Sequence, residues 1–274
     1  MGKIVEHLIP RGRPRLAAVL QQAGSFVAIN DVVAVLGMSR SEAAKTLARW
    51  TKQGWLKRLK RGVYIPIPMN VQGTGQILED PWVLIPKMFG DSYVAGWSAA
   101  EHWGLTEQIF RSICICTTKP VKKTEINIQE TPFVLKHIPT NKLFGTQSVW
   151  RGATKVQVST PERTIIDMID DPRIGGGIIH VIECLNNLFT GELGKWEGLF
   201  DMAEKLGNGA VFKRLGFIME KNLPKYSQLI DLCRSRLSTG LAKLDPALPC
   251  QQVVKSWNLR IPTSWQNETL NDRK

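Results

Sequence analysis

Between Pro14 and Gly54 apolar residues recur every three or four positions, and glycines punctuate the pattern. "RLAAVLQQAG" predicts a short amphipathic helix ended by Gly24. "SFVAINDVVAVLG" predicts a second helix, with Asn30 as its N-cap and Gly37 just past its end. "MSRSEAAKTLARWTKQG" predicts a third. There Ser39 and Glu42 form an S-x-x-E capping box, and Gly54 closes the helix. Only "LGMS" separates the second and third helices, the length of a helix-turn-helix turn. Ala43, Ala44, Leu47, Ala48 and Trp50 supply the apolar face of the third helix. Ser41, Lys45, Arg49 and Lys52 follow at spacings of four, four and three, which places them on one polar stripe. After Gly54 the period shortens. "WLKRLKR" alternates loosely, Gly62 offers a turn, and "VYIPI" reads as a second strand. Two strands after a third helix describe the wing of a winged helix.

The polar, glycine-rich "PMNVQGTGQ" reads as a linker, with the boundary near Gly73 or Gly75. Residues 1–75 are thus expected to form a winged helix-turn-helix domain with a basic N-terminal arm, and residues 76–274 a second domain. In the latter, "PWVLIPKMFG" and "SAAEHWGL" read as short helices, and "RSICICTT", "TEINIQ", "TPFVLKHI" and "TKVQVS" as strands. Helical periodicity then takes over in "PERTIIDMI", "GIIHVIECLNNLF", "GKWEGLFDMAEKLG", "AVFKRLGFIMEK" and "YSQLIDLCRSRL", and "VVKSWNLRI" reads as a final strand. The predicted class is α+β in two domains, the second a mixed α/β domain with strands first and helices after.

Charge sharpens this picture. The formal net charge is +12, and the segment from Met1 to Asn70 holds twelve of 36 Lys/Arg but three of 24 Asp/Glu. About a quarter of the chain therefore carries +9 of the total, while the remainder is nearly balanced. Lys57, Arg58, Lys60 and Arg61 crowd into the predicted wing. Like charges this close repel, so the fold gains little from them; a polyanion reverses the balance. Double-stranded DNA is the expected partner. Arg40, Ser41 and Lys45 sit in the first turns of the third helix, where base edges are met. Arg49, Lys52, Lys57, Arg58, Lys60 and Arg61 suit phosphates, which set position rather than sequence choice. Ahead of the helices, "PRGRPR" carries Arg11 and Arg13 in a form similar to the core of an AT-hook, whose extended arginines lie in a narrow A·T minor groove. The bland alternative is a basic arm that touches phosphates without preference.

Signals for catalysis are weak. The five cysteines include no C-x-x-C pair, and no secretory or membrane-spanning run is visible, which points to a reducing cytoplasm. Cys114 and Cys116 alternate along one strand face and read as small buried hydrophobes. Glu101 and His102 lack the H-E-x-x-H spacing and read as helix packing, not as a metal site. Asp167, Asp170 and Asp171 read as a solvated helix end. There is no Walker loop, G-x-S-x-G elbow or nucleotidyltransferase-like signature. No catalytic, cofactor or metal residue is assigned. Two rivals stand: a divergent metal-dependent nuclease using Asp167 or Glu101, and a plain winged-helix transcription factor whose second domain senses a ligand or dimerises.

Several segments together resemble the AbiEi family of antitoxins from bacterial abortive-infection toxin–antitoxin pairs. They are "LKRLKRGVYIP", "YVAGWSAAEHWGLTEQIF", "STPERTIIDMIDDPRIGGG", "LDPALP" and "WNLRIP", in that order along most of the chain. The resemblance implies an N-terminal domain that represses its own operon by binding inverted repeats in the promoter. It further implies a larger C-terminal domain that counters a cognate nucleotidyltransferase-like toxin without a stable complex. It implies no catalytic triad and no metal site, and it leaves "SAAEHWGL" and "PERTIIDMI" as scaffold of unknown role.

Overall fold

The computed structural model describes residues 12–24, 26–60, 62–67, 80–191 and 196–265. They form two compact units. The first takes in the described residues up to Met88 with Ile128–Glu130 and Trp150–Val156; the second comprises Phe89–Asn127, Thr131–Val149 and the described residues from Gln157 onward.

Unit 1 begins with α1 (Arg13–Ala23), β1 (Val27–Ala28), α2 (Ile29–Leu36) and α3 (Arg40–Lys52), then closes with β2 (Leu56–Lys60) and β3 (Val63–Pro66). The strands make an antiparallel sheet in the order β1-β3-β2, with Val27 opposite Tyr64 and Lys57 opposite Ile65. Gly62 turns the hairpin at φ 83°, a left-handed conformation that glycine adopts without a Cβ clash. Leu16 and Val19 of α1, Val32 and Leu36 of α2, and Ala43, Leu47 and Trp50 of α3 bury against Leu56 and Tyr64 of the hairpin. Burial of these side chains against one another, rather than the modest propensity of short helices, holds the unit together.

Two local expectations change. The second helix starts earlier than Asn30: Val27–Ala28 pairs with β3, Ala28 is the N-cap, and its N–H donates to Asp31 Oδ2 at 2.7 Å. Asn30 instead accepts a hydrogen bond from Arg40 Nη1 at 2.9 Å. On α3 the buried positions are Ala43, Thr46, Leu47 and Trp50, whereas Ala48 is exposed. Residues 68–79, which include the expected linker, lie outside the described residues.

The α3 cap forms as expected. Ser39 N–H donates to Glu42 Oε2 at 2.9 Å, Ser39 Oγ–H to the same oxygen at 2.7 Å, and Glu42 N–H to Ser39 Oγ at 3.3 Å. Hydrogen bonds from the Ser39 hydroxyl and amide hold the Glu42 carboxyl below its ordinary value, with the Lys45 charge adding to them. Ser39→Ala is expected to lower stability by about 1 kcal/mol, read by thermal melting. A carboxylate with a depressed folded pKa contributes above its unfolded pKa and loses that contribution as pH falls. The deficit of Ser39→Ala should therefore shrink once the pH drops below about 4.

In chain order the rest of the protein comprises α4 (Ile85–Phe89), β4 (Ser92–Val94), α5 (Gly96–His102), β5 (Ile113–Thr117), β6 (Glu125–Ile128) and β7 (Thr131–His137). The hairpin strands β8 (Thr146–Arg151) and β9 (Thr154–Ser159) follow, then α6 (Pro161–Asp170), α7 (Ile178–Thr190), α8 (Trp196–Leu206), α9 (Gly209–Asn222) and α10 (Ser227–Ser235). Short strands β10 (Ala242–Lys243), β11 (Gln252–Val254) and β12 (Leu259–Ile261) come last. The main sheet runs β6-β7-β5-β4-β9-β8, with β4 antiparallel to β5 and parallel to β9, and β5 parallel to β7. The strands β4, β8 and β10 were not expected. "VVKSWNLRI" is not one strand: β11 and β12 pair antiparallel across a 3-10 turn at Lys255–Trp257, and Asn258 takes φ 46° to make the corner.

The two scaffold segments now have structural roles. On α5, Trp97 Nε1–H donates to Ser112 O at 2.7 Å, and Ser98 Oγ accepts from Cys114 N–H at 2.9 Å. Just beyond α5, Trp103 Nε1–H donates to Ser159 O at 2.7 Å. "SAAEHWG" thus staples two sheet strands. Within "LDPALP", Asp245 Oδ2 accepts from Ile178 N–H at 3.1 Å and fills the start of α7. The Arg214 guanidinium donates to Ile169 O and Asp170 O at 2.8 Å each, placing a cation at the carbonyl end of α6, where the helix dipole favours it.

Candidate nucleic-acid interface

Along α3, Arg40, Ser41, Lys45, Arg49 and Lys52 are all exposed, while Ala43, Leu47 and Trp50 of the same helix are buried. The cap fixes the orientation of the first turn, so Arg40 and Ser41 are presented by an ordered helix start. Arg40 is tethered further by Asn30 on α2. On the hairpin, Lys57 and Arg58 are exposed. β2 is an edge strand, and its register slips between Arg58 and Lys60, a bulge at Leu59 that bends the strand locally. Among the described residues none of Arg40, Lys45, Arg49, Lys52 and Lys57 forms a salt bridge. Two acids of unit 1 are engaged elsewhere: Asp31 with Lys87 at 3.3 Å and Asp80 with Arg151 at 3.7 Å. Arg11, Arg61 and the side chain of Lys60 lie outside the described residues.

The arm departs from the AT-hook reading. Gly12 is the N-cap of α1, and Arg13, Pro14 and Arg15 are already helical. Proline is at home in a first turn, where its missing N–H is not needed. An AT-hook needs those residues extended. The Arg13 guanidinium instead lies 5.3 Å from the centroid of the Trp55 ring. Arg15 was not among the residues selected from sequence. Half-buried, it lines a cleft with Lys45 and Arg49 of α3, a proximity that arises only in the tertiary fold, so periodicity alone does not mark it; a cation next to a core position of the first helix is the available signal.

The carboxylates that tempted an enzymatic reading do not converge. Glu101 is exposed on α5. Asp167 is not part of a solvated helix end, because its side chain is buried in an ion pair with Arg163. Arg163 Nε–H donates to Asp167 Oδ1 at 2.9 Å, and Tyr93 O–H donates to Asp167 Oδ2 at 2.9 Å. Burial pushes the Asp167 carboxyl up, against the pull of the Arg163 guanidinium. Asp170 accepts from Lys136 at 2.7 Å, and Asp171 holds Arg173 at 2.8 Å. No three His, Cys, Asp or Glu residues group as metal ligands among the described residues. Cys114 and Cys116 are buried, and burial raises both thiols, Cys116 to about 12. No helix among the described residues is long and apolar enough to cross a membrane.

Three helices closed by a β-hairpin, with Gly37–Met38–Ser39 joining the second helix to the third, make unit 1 a winged helix-turn-helix. Residues 14–67, which span it, match the family described as "Transcriptional regulator, AbiEi antitoxin", in agreement with the resemblance read from the sequence. No curated protein matches the chain. Among solved structures, the crystal structure of the RV2827C protein from Mycobacterium tuberculosis has a similar fold, with a TM-score of 0.61 at 17% identity over 92% of each chain.

Proposed function

We propose that this chain is a cytoplasmic DNA-binding repressor of its own operon and the antitoxin of a type IV toxin–antitoxin pair. Its toxin is a nucleotidyltransferase-like enzyme that it opposes without a stable complex. Residues 1–75 bind promoter inverted repeats, and residues 76–274 carry the antitoxin activity; neither part is catalytic. The observation that carries the reading is the capped third helix, whose exposed face bears Arg40, Ser41, Lys45, Arg49 and Lys52 beside a cationic hairpin. The match of residues 14–67 to a family described as an AbiEi antitoxin transcriptional regulator supports the regulatory half of it.

The test is duplex binding by the full chain across a salt series. About six to eight phosphate contacts give a slope of log K against log salt of roughly −5 to −7. Arg58→Ala is expected to weaken all duplexes about equally, whereas Arg40→Ala or Lys45→Ala erodes the preference for the upstream repeats. A salt-independent affinity removes the electrostatic basis of the proposal. Co-expression with the product of the neighbouring reading frame tests the second half. Arg40→Ala in the full chain should lose repression yet still rescue growth.

A further inference from the structure

A cleft of about 390 Å³ opens between α1 and α3, beside the turn that joins α2 to α3. Its charge is unbalanced. Arg15 from α1 and Lys45 and Arg49 from α3 line it, and Glu42 is the one acid on its wall among the described residues. Glu42 is already committed: its Oε2 accepts both the N–H and the hydroxyl of Ser39. None of the three cations forms a salt bridge among the described residues. Arg15 Nε is shut off from solvent and has no hydrogen-bond partner among the described residues. A donor buried without a partner is an anomaly, because protein interiors satisfy nearly all such groups. Leu36 and Met38 give the cleft an apolar side, and Gly37, at φ 60°, leaves its rim open: a Cβ there would meet nothing within 4 Å.

We propose that this cleft seats a phosphate group of the DNA backbone, with Arg15 as its principal anchor and Lys45 and Arg49 closing on it from α3. A guanidinium presents several N–H donors in a planar fork that suits a tetrahedral oxyanion, and Arg15 lines the cleft together with two further cations. Lys45 and Arg49 also belong to the exposed α3 stripe. A phosphate held here would therefore lie alongside the helix that enters the groove and would fix its register without reading sequence. The proposal rests on the reading of unit 1 as a DNA-binding module. It goes beyond that reading in making α1 part of the interface through a residue outside the recognition helix and the wing.

Two variants of the full chain test it, each first checked for wild-type circular dichroism and melting. Arg15→Gln removes the anchor. Gly37→Asp places a carboxylate at the rim, at a left-handed position that Asp and Asn tolerate, and Gly37→Asn is its neutral control. Affinity is measured for the duplex upstream of the reading frame and for a scrambled duplex. Arg15→Gln and Gly37→Asp should each lose roughly tenfold on both duplexes, and Arg15→Gln should reduce the salt slope by about 1; Gly37→Asn should stay close to wild type. If wild type binds with a steep salt slope while Arg15→Gln keeps its affinity and slope, the seat is overturned and the α3 reading stands. If wild type binds neither duplex, the reading of unit 1 falls, and the seat for a backbone phosphate falls with it. Inorganic phosphate, titrated against tryptophan fluorescence at matched ionic strength, then identifies the source. A saturable response abolished by Arg15→Gln assigns the cleft to a free phosphate compound, and no saturable response removes phosphate altogether.

Discussion

Asp167→Ala is expected to destabilise the protein by about 3–5 kcal/mol, the range for breaking a buried ion pair from one side. The substitution strands the Arg163 guanidinium, which is fully buried. Arg163 would keep its bond from Nη2 to Lys142 O at 3.3 Å and its place over the Phe144 ring at 4.1 Å, and neither neutralises a charge. Among the described residues Arg163 Nη1 already lacks a partner, so the site has no spare acceptor to offer. Tyr93 O–H, which donates to Asp167 and accepts from Arg163 Nη2 at 3.1 Å, loses the group it donates to. Replacing the whole set by apolar groups has a different outcome. In Tyr93→Phe/Arg163→Met/Asp167→Leu no charge or hydroxyl is left unpaired, and stability should return to within about 1–2 kcal/mol of wild type. Urea denaturation followed by circular dichroism measures both. If Asp167→Ala melts like wild type, the pair contributes nothing to the fold. If the triple variant is as unstable as the single one, packing shape rather than charge is the cause.

The same pair shows why part of unit 2 was illegible. Asp167 and Arg163 are four apart on α6, a spacing that reads as a solvated surface pair unless something covers it. Its cover, Tyr93, lies 74 residues earlier on β4, a three-residue strand too short to register as a period of two. Unit 1 was legible because its signals are local. A capping box, glycines at helix ends and a β-branched strand after a glycine each act within a few residues, and they agree with one another. Where unit 1 departed from expectation, a long-range contact had won. Val27–Ala28 joined β3 instead of starting a helix, and Thr46 was buried where Ala48 had been expected. The polar stripe of α3 was readable from spacing alone. The place of Arg15 beside Lys45 and Arg49 was not, because a helix that contributes one residue to a neighbour's cleft leaves no periodic trace.

Gly216→Ala is expected to lower stability by about 3 kcal/mol, near the upper end for overpacking a core. On intrinsic preference it should do the opposite, since Ala improves on Gly in a helix interior by about 0.5–1 kcal/mol. The deciding contact comes from "WNLRIP". A Cβ on Gly216 in α9 would stand 2.1 Å from Trp257 Cζ3 and 2.3 Å from Cη2. Trp257 is fully buried, and its ring has little freedom to retreat. Its Nε1–H donates to Glu220 Oε2 at 2.6 Å, and the Arg234 guanidinium lies 5.0 Å from its centroid while pairing with the same Glu220. Trp257→Ala removes the ring and should lose about 3–5 kcal/mol by leaving a cavity. In that background the steric objection to a Cβ is gone, so Gly216→Ala should change sign and recover about 0.5–1 kcal/mol. A thermal-melting cycle over the four proteins measures this coupling, which should far exceed the few tenths of a kcal/mol expected of independent sites. Additive effects would mean that Gly216 is needed for some reason other than the ring above it. A reversal of sign would show that the C-terminal corner built on Asn258 presses Trp257 onto α9, and that a glycine in the middle of a helix is there to receive it.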